Sequence, residues 1–285
     1  IENQGYELSI ESDNLTGAFS WTTAFNIAFN RNKVLELGGE EYKEMAEGDG
    51  HLKTGSVRRL IVGEPIGVFY GYRFDGIFQN EEECKQQTSS ASPIGVGLRR
   101  YKDLNGDGKV DAANDREILG DANPKFFGGL TNTFAYKGFE LNVFLQYSYG
   151  NKILNYNAME LENPTGGQNA YADMVNRWTP ENPSNIYPKA TTNRALLVSD
   201  RFIEDGSYLK LKTLSLSYSF PKINLKHIQG LRLYVTGQNL LTWTKYRGYD
   251  PEVSYRGAST LEAGEDFGGY PQSRTFMFGI KLDIK

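Results

Sequence analysis

The feature that most constrains this chain is a period-2 alternation that runs longer than a globular strand needs. Across residues 19–30 the odd positions read Phe19, Trp21, Thr23, Phe25, Ile27 and Phe29, and the even positions Ser20, Thr22, Ala24, Asn26, Ala28 and Asn30. Successive side chains of a strand point to opposite faces, so this segment has one aromatic face and one small, polar face. The pattern returns at Phe139–Tyr149, at Tyr208–Phe220, at 231–241 and at 276–284, more weakly at 128–136 and in part at 5–10. Soluble strands are mostly ~5–6 residues long, whereas ~9–11 cross a bilayer when tilted. Several of these runs belong to the second kind.

The connections sharpen the choice. Those at 11–18, 137–138 and 221–230 are short, and those at 31–125, 151–207 and 242–273 are long. Short and long alternate strictly, as they do in outer-membrane barrels with short periplasmic turns and long extracellular loops. Structureless loops of this length are uncommon in compact soluble domains. If the final strand descends to the periplasm, seven strands are counted and the first enters from outside. Single-chain bacterial barrels have even strand numbers, so the count predicts further chain before Ile1. A segment at 66–74 also has strand character and is placed inside the first long loop.

Composition removes other classes. No apolar run approaches the ~20 residues of a transmembrane helix, and mean hydropathy is −0.51. A barrel tolerates that value because only alternate residues face lipid. Net charge is −4 and no basic patch is visible, which argues against nucleic acid as a partner. Cys84 is the single cysteine, so no intrachain disulfide forms. His51 and His227 are the only histidines and have no partner at catalytic or metal-ligand spacing. Neither Gly166-Gly167 nor Gly268-Gly269 sits in the strand-to-helix context of a phosphate loop, and Glu81-Glu82-Glu83 reads as a solvated charge run.

Blocks in fixed order carry a resemblance. Gly67-Val68-Phe69-Tyr70-Gly71-Tyr72 and Asp75-Gly76-Ile77-Phe78 come first, then Asp103-Leu104-Asn105-Gly106-Asp107-Gly108-Lys109-Val110-Asp111 and Ile118-Leu119-Gly120. Asn123-Pro124-Lys125-Phe126-Phe127-Gly128-Gly129 follows, and later Asn176-Arg177-Trp178-Thr179-Pro180, Asp205-Gly206-Ser207-Tyr208-Leu209 and Gly237-Gln238-Asn239-Leu240. The set resembles the SusC/RagA family of TonB-dependent outer-membrane transporters. The resemblance implies an all-β fold: residues 1–285 as the C-terminal portion of a transmembrane antiparallel barrel of ~22 strands, with the plug domain and TonB box not present in this chain. It implies import of an oligosaccharide or peptide through the outer membrane of a Gram-negative, Bacteroidetes-like cell, without catalysis. The partners it implies are a SusD-like surface lipoprotein acting as a lid, TonB, and outer-membrane lipid. The family's barrels usually end on an aromatic residue, whereas this chain ends Asp283-Ile284-Lys285.

Three groups of residues are candidate sites. Asp103, Asn105, Asp107, the carbonyl of Lys109, and Asp111 place oxygen donors at the spacing of a calcium loop, with Gly108 for the sharp turn. The twelfth position is Asn114 rather than the bidentate Glu, so a structural Ca2+ and an ion-free Asx turn both fit. Tyr171, Trp178, Tyr187, Tyr249 and Tyr255, in long loops, are candidates to bind cargo, and packing within the loops is the plainer alternative for each. Tyr147, Tyr149, Trp243 and Tyr246 lie at strand ends, where an aromatic girdle would sit. A soluble β-sandwich glycan-binding module is the competing architecture, because it also alternates but buries its aromatic face.

Overall fold

The computed structural model describes all residues except 46–47, 49–50, 53, 164–168, 193–195, 222–227, 254, 256, 258 and 285. Seven long strands form one antiparallel sheet: β1 (Glu2–Thr16), β2 (Phe19–Lys33), β3 (Phe126–Tyr136), β4 (Phe139–Tyr149), β5 (Tyr208–Phe220), β6 (Ile228–Thr244) and β7 (Thr275–Ile284). Each strand pairs with its neighbours in sequence order, so the sheet is a meander. The β3–β4 turn is Lys137-Gly138, both at positive φ (46° and 87°), the primed hairpin geometry that matches strand twist. The first strand exceeds its sequence expectation, running to Thr16 and leaving only Gly17 and Ala18 as the turn.

Register decides which residues share a face. Tyr6, Phe29, Leu8, Ile27, Ile10 and Phe25 are cross-strand partners, and Phe25 continues to Leu130 and Leu145. Further along, Leu141 meets Leu216, Leu216 meets Val235, and Val235 meets Phe278. One unbroken apolar and aromatic face therefore crosses all seven strands. The opposite face carries Asn26, Gln146, Lys210, Ser215, Ser217 and Thr236. The apolar face is covered by nothing: Phe276, Phe278 and Ile280 are exposed, as are Leu8, Phe139 and Leu216. An uncovered apolar surface of this extent marks contact with lipid or another chain, and a sandwich would have buried it. Two glycines of the wall are covered by an aromatic ring: the Tyr147 ring lies over Gly128, and the Tyr234 ring over its register partner Gly279.

Among the described residues, no apolar side chain of these seven strands is fully buried. The buried core lies in the long connections. Leu52, Val57 and Phe69 of the first loop pack with Leu154, Tyr156, Met159, Leu196 and Phe202 of the second, and Phe267 of the third joins from the edge. Small sheets knit the loops together. Arg116–Gly120, Val68–Tyr72, Arg58–Ile61 and Tyr42–Glu44 form one. Lys152–Asn155 bridges Ile203–Asp205 and Glu265–Asp266, joining the second loop to the third. The strand expected at 66–74 belongs to the first of these sheets and not to the wall. The long connections thus form a folded cap at one end of the wall.

Candidate functional site

The site-bearing surface is the polar face of the wall together with the cap above it. Polar-face residues of β4 and β5 hold the third loop down. Lys210, 1% exposed, places Nζ 2.6 Å from Asp250 Oδ1 and 2.6 Å from Glu252 Oε2. Lys212 reaches the same Glu252 oxygen at 2.8 Å, and Gln146 donates to Oε1 at 3.1 Å. The β5–β6 register shifts at Leu211/Thr213, and Asn239 on β6 takes a left-handed φ of 54°. That irregularity lies next to both lysines. Burial pushes the Glu252 carboxyl up, but hydrogen bonds from Lys210 and Lys212 outweigh it and hold the group below the ordinary carboxylate range. The sequence reading missed this site. Alternation places Lys210 on the polar face, but its partners lie 40 and 42 residues away.

A second hub lies within the cap. The buried Glu162 accepts from Arg201 at 2.6 Å and Arg247 at 2.9 Å, and Arg247 also binds Glu204 at 2.8 Å. Arg247 is buried enough to lose some basicity, yet its bonds to Glu204 and Glu162 raise its pKa. Three of the five candidate ligand residues surround this hub. Tyr187 donates to Asp173 at 3.3 Å, with the Arg201 guanidinium 5.1 Å from its ring centre. Tyr171 packs against the core, and burial raises its phenol, with Arg247, Glu204, Glu162 and Tyr249 within electrostatic reach. Tyr249 is 78% exposed. Trp178 donates Nε1 to Gln79 at 3.0 Å, and its backbone N–H bonds the Tyr187 carbonyl. Tyr255 stands apart, edge-on to Phe267.

A buried ion pair ties the first loop to the third: Arg58 and Glu265, each 2% exposed, meet at 2.9 Å. Arg58 also donates to the carbonyls of Gly67 and Ala263 and lies over Phe69. Of the girdle residues, Tyr149 and Trp243 are half-exposed at strand ends beside the cap, with Tyr149 stacked on Phe126 at 5.0 Å. Tyr246 is not a girdle residue. It is buried in the cap and donates to Asp266.

The acidic loop is closed by its own backbone. Asp103 accepts from the N–H groups of Gly106 and Gly108 at 2.7 Å each, and Asp107 from Lys109 N–H at 2.8 Å. Asp111 accepts from Ala113 and Asn114, bonds that with Lys109 hold its carboxyl below the ordinary range. Asp115, buried, accepts from Leu104 and Asp111. Among the described residues no three His, Cys, Asp or Glu side chains converge as a metal cage. The Glu81-Glu82-Glu83 run forms the first turn of a short helix, Glu81–Lys85, capped by Asn80. His51 Nε2 lies 3.4 Å from Glu160, whereas His227, Gly166 and Gly167 lie outside the described residues.

A lipid-type apolar face, a polar reverse face and a folded cap at one end define a section of outer-membrane barrel wall. Comparison with known proteins names the barrel. The chain is 39% identical over 289 residues to TonB-dependent receptor P3 of Formosa agariphila, covering 99% of this chain and 28% of that protein. TonB-dependent receptor P26 of the same organism is 33% identical, and TonB-dependent receptor SusC of Bacteroides thetaiotaomicron 27% identical over 297 residues. No protein-family model matches the chain. The solved RagAB peptide transporter superposes with a TM-score of 0.76 at 24% identity, over 98% of this chain and 29% of that one. The chain is therefore similar along its whole length to TonB-dependent receptors, SusC among them, and it spans little more than a quarter of the length of the curated relatives it matches.

Proposed function

We propose that this chain supplies part of the barrel wall and the extracellular cap of an energy-coupled outer-membrane importer. The observation that carries the reading is the uncovered apolar face of the seven-stranded wall, backed by a polar face and crowned at one end by a folded cap. The apolar face meets lipid and the polar face lines a lumen. β1 and β7 each have a single neighbour. Open edges do not occur in lipid, so further strands of the complete receptor close the barrel. No step of the reading requires catalysis.

The cargo is an oligosaccharide or a peptide, with Tyr171, Trp178, Tyr187, Tyr249 and Tyr255 the cap residues nearest to hand for it. The RagAB peptide transporter, to which the chain is similar in fold, supports the peptide class. A SusD-like surface lipoprotein closes over the cap, and TonB supplies the energy through a plug. The acidic loop takes a structural Ca2+. Alternate oxygen donors at Asp103, Asn105 and Asp107, with turns at Gly106 and Gly108 (φ 75° and 81°), support that assignment.

The mass of the mature polypeptide extracted from outer membranes tests the barrel: a value several-fold above 32.0 kDa is expected, and one near it refutes the reading. Uptake of labelled oligosaccharide and peptide pools by cells with and without TonB tests the transport. Loss of uptake without TonB is expected, and undiminished uptake sinks the energy-coupled reading.

A further inference from the structure

The outward face of the wall is uneven where it meets the cap. In the last apolar row there, Tyr147 on β4, Leu209 on β5 and Trp243 on β6 are register partners. Tyr149 stacks on Phe126 at 5.0 Å, and Phe126 meets Tyr147 edge-on at 6.2 Å, so these three rings form one bank. Trp243 forms the other. Leu209 is the floor between them and is 38% exposed. Beyond Leu209 the cap end of the groove is lined by Ser207, which is too small to fill the gap. Its hydroxyl is turned to the chain itself, donating to Asp205 at 2.6 Å and accepting from Gly150 N–H at 2.9 Å. The result is an outward-facing groove of about 590 Å³.

The two ends of the groove differ in chemistry. Away from the cap, the next outward row is Leu145, Leu211 and Leu241, so the floor runs on as apolar surface. At the cap end Lys245 lines the groove, two residues beyond Trp243 and therefore ~7 Å further along at ~3.4 Å per residue. Lys245 is exposed and makes no ion pair among the described residues. Asp205 is the one carboxylate among the described lining residues, and both Lys152 and Lys245 lie within electrostatic reach of it. Two cations against one carboxylate leave this end positive.

We propose that this groove is a binding site for one anionic lipid, with its acyl tail lying along Leu209 between Tyr149 and Trp243 and its phosphate-bearing head at Lys245. The size of the groove gives room, and the order of its lining selects the occupant. A tail supplies the packing partners that the exposed Leu209 and Trp243 lack. A phosphate supplies the negative charge that Lys245 lacks, and an ammonium binds phosphate as a point charge. Tyr and Trp rings sit at headgroup level in a bilayer, which puts the lysine just beyond them among the heads. The inference rests on the lipid-facing reading of the wall and adds to it a lipid class and a place.

The test is Trp243 fluorescence of the complete receptor in phosphatidylcholine vesicles. A minor share of the lipid carries brominated acyl chains, which quench tryptophan on contact, under either a phosphatidylglycerol or a phosphatidylcholine head. The Trp243 signal is the difference between each protein and its Trp243→Phe counterpart. Brominated phosphatidylglycerol is expected to quench Trp243 at least threefold more than brominated phosphatidylcholine at the same share, the enrichment that one lysine gives an anionic head. Lys245→Gln, a change at an exposed position, is expected to bring this ratio to about one. Leu209→Phe fills the floor and keeps the charge, and it is expected to bring the ratio below half of its wild-type value. Equal quenching by the two lipids in wild type, or an unchanged ratio in either variant, overturns the proposal and leaves the lipid-facing wall standing. Quenching by neither lipid overturns both.

Discussion

Replacing Lys210 by Met removes the cation that pins the third loop to the wall while keeping most of the apolar stem. The consequences for the two acids differ. Glu252 keeps Lys212 at 2.8 Å, Gln146 at 3.1 Å and the Tyr208 hydroxyl at 3.3 Å. Among the described residues Asp250, 6% exposed, keeps only the N–H groups of Glu252 at 2.9 Å and Gln272 at 3.4 Å. Asp250 is therefore the stranded charge, and removing one partner of a buried pair costs ~3–5 kcal/mol. At ~1.4 kcal/mol per decade, the docked-to-undocked ratio of the loop falls by about two to three and a half orders of magnitude. Hydrogen exchange of the Glu252 and Gln272 amides, both bonded to Asp250 when the loop is docked, reads this ratio in detergent. Exchange there is expected to accelerate by at least a hundredfold, with the β3–β4 hairpin unchanged. Adding Asp250→Asn is expected to recover most of the protection, because the stranded charge is then gone. Acceleration below about threefold in Lys210→Met refutes the view that the ion pair holds the loop.

Four further outcomes follow from the same structure. Because Glu252 is held below the ordinary carboxylate range when docked, its contribution is fully present above that range and is lost as pH falls through the lowered value. Protection of the Glu252 and Gln272 amides is thus expected to be flat from neutral pH to about 5 and to fall only in stronger acid. Tyr246→Phe leaves Asp266 without its phenol donor inside the cap and is expected to cost ~1–3 kcal/mol of local stability, seen as faster proteolysis of the third loop. Burial and the bond to Asp266 raise the Tyr246 pKa far above its ordinary value, so this difference is expected at every assay pH. Gly279→Ala puts a methyl group where the Tyr234 ring lies, and a loss of ~1–3 kcal/mol in denaturant unfolding is expected, relieved by Tyr234→Ala. Calcium titration of the receptor is expected to give binding heat that Asp107→Ala abolishes, and equal heats in both would remove the ion from the acidic loop.

The wall was legible because its rule is local. Alternation at Phe139–Tyr149 and Tyr208–Phe220 gives those strands with the bounds the structure has. β1 and β6 run longer than their alternation, since polar residues such as Asn3, Gln4 and Asp13 extend a strand without adding to its apolar face. The cap was not legible, because its chemistry joins residues that no periodicity relates. Arg58 and Glu265 are 207 residues apart. Trp178 and Tyr187 read in sequence as cargo candidates, but their partners, Gln79 for Trp178 and Asp173 and Arg201 for Tyr187, are not signalled by any spacing. Tyr246 is only two residues beyond the end of β6, and those two residues carry it from the membrane surface into the cap.

The meander has a consequence for how the cap assembles. Closing a free chain over 207 residues to bring Arg58 to Glu265 carries an entropic cost that grows with the logarithm of the loop. The wall removes most of that separation. The three long loops spring from β2–β3, β4–β5 and β6–β7, and adjacent strands lie only ~4.7–4.9 Å apart. Once the hairpins have zipped, the roots of all three loops stand side by side, and the cap core has only short gaps left to span. A paired wall therefore lowers the entropic cost of bringing Arg58 to Glu265, which the free chain would bear in full.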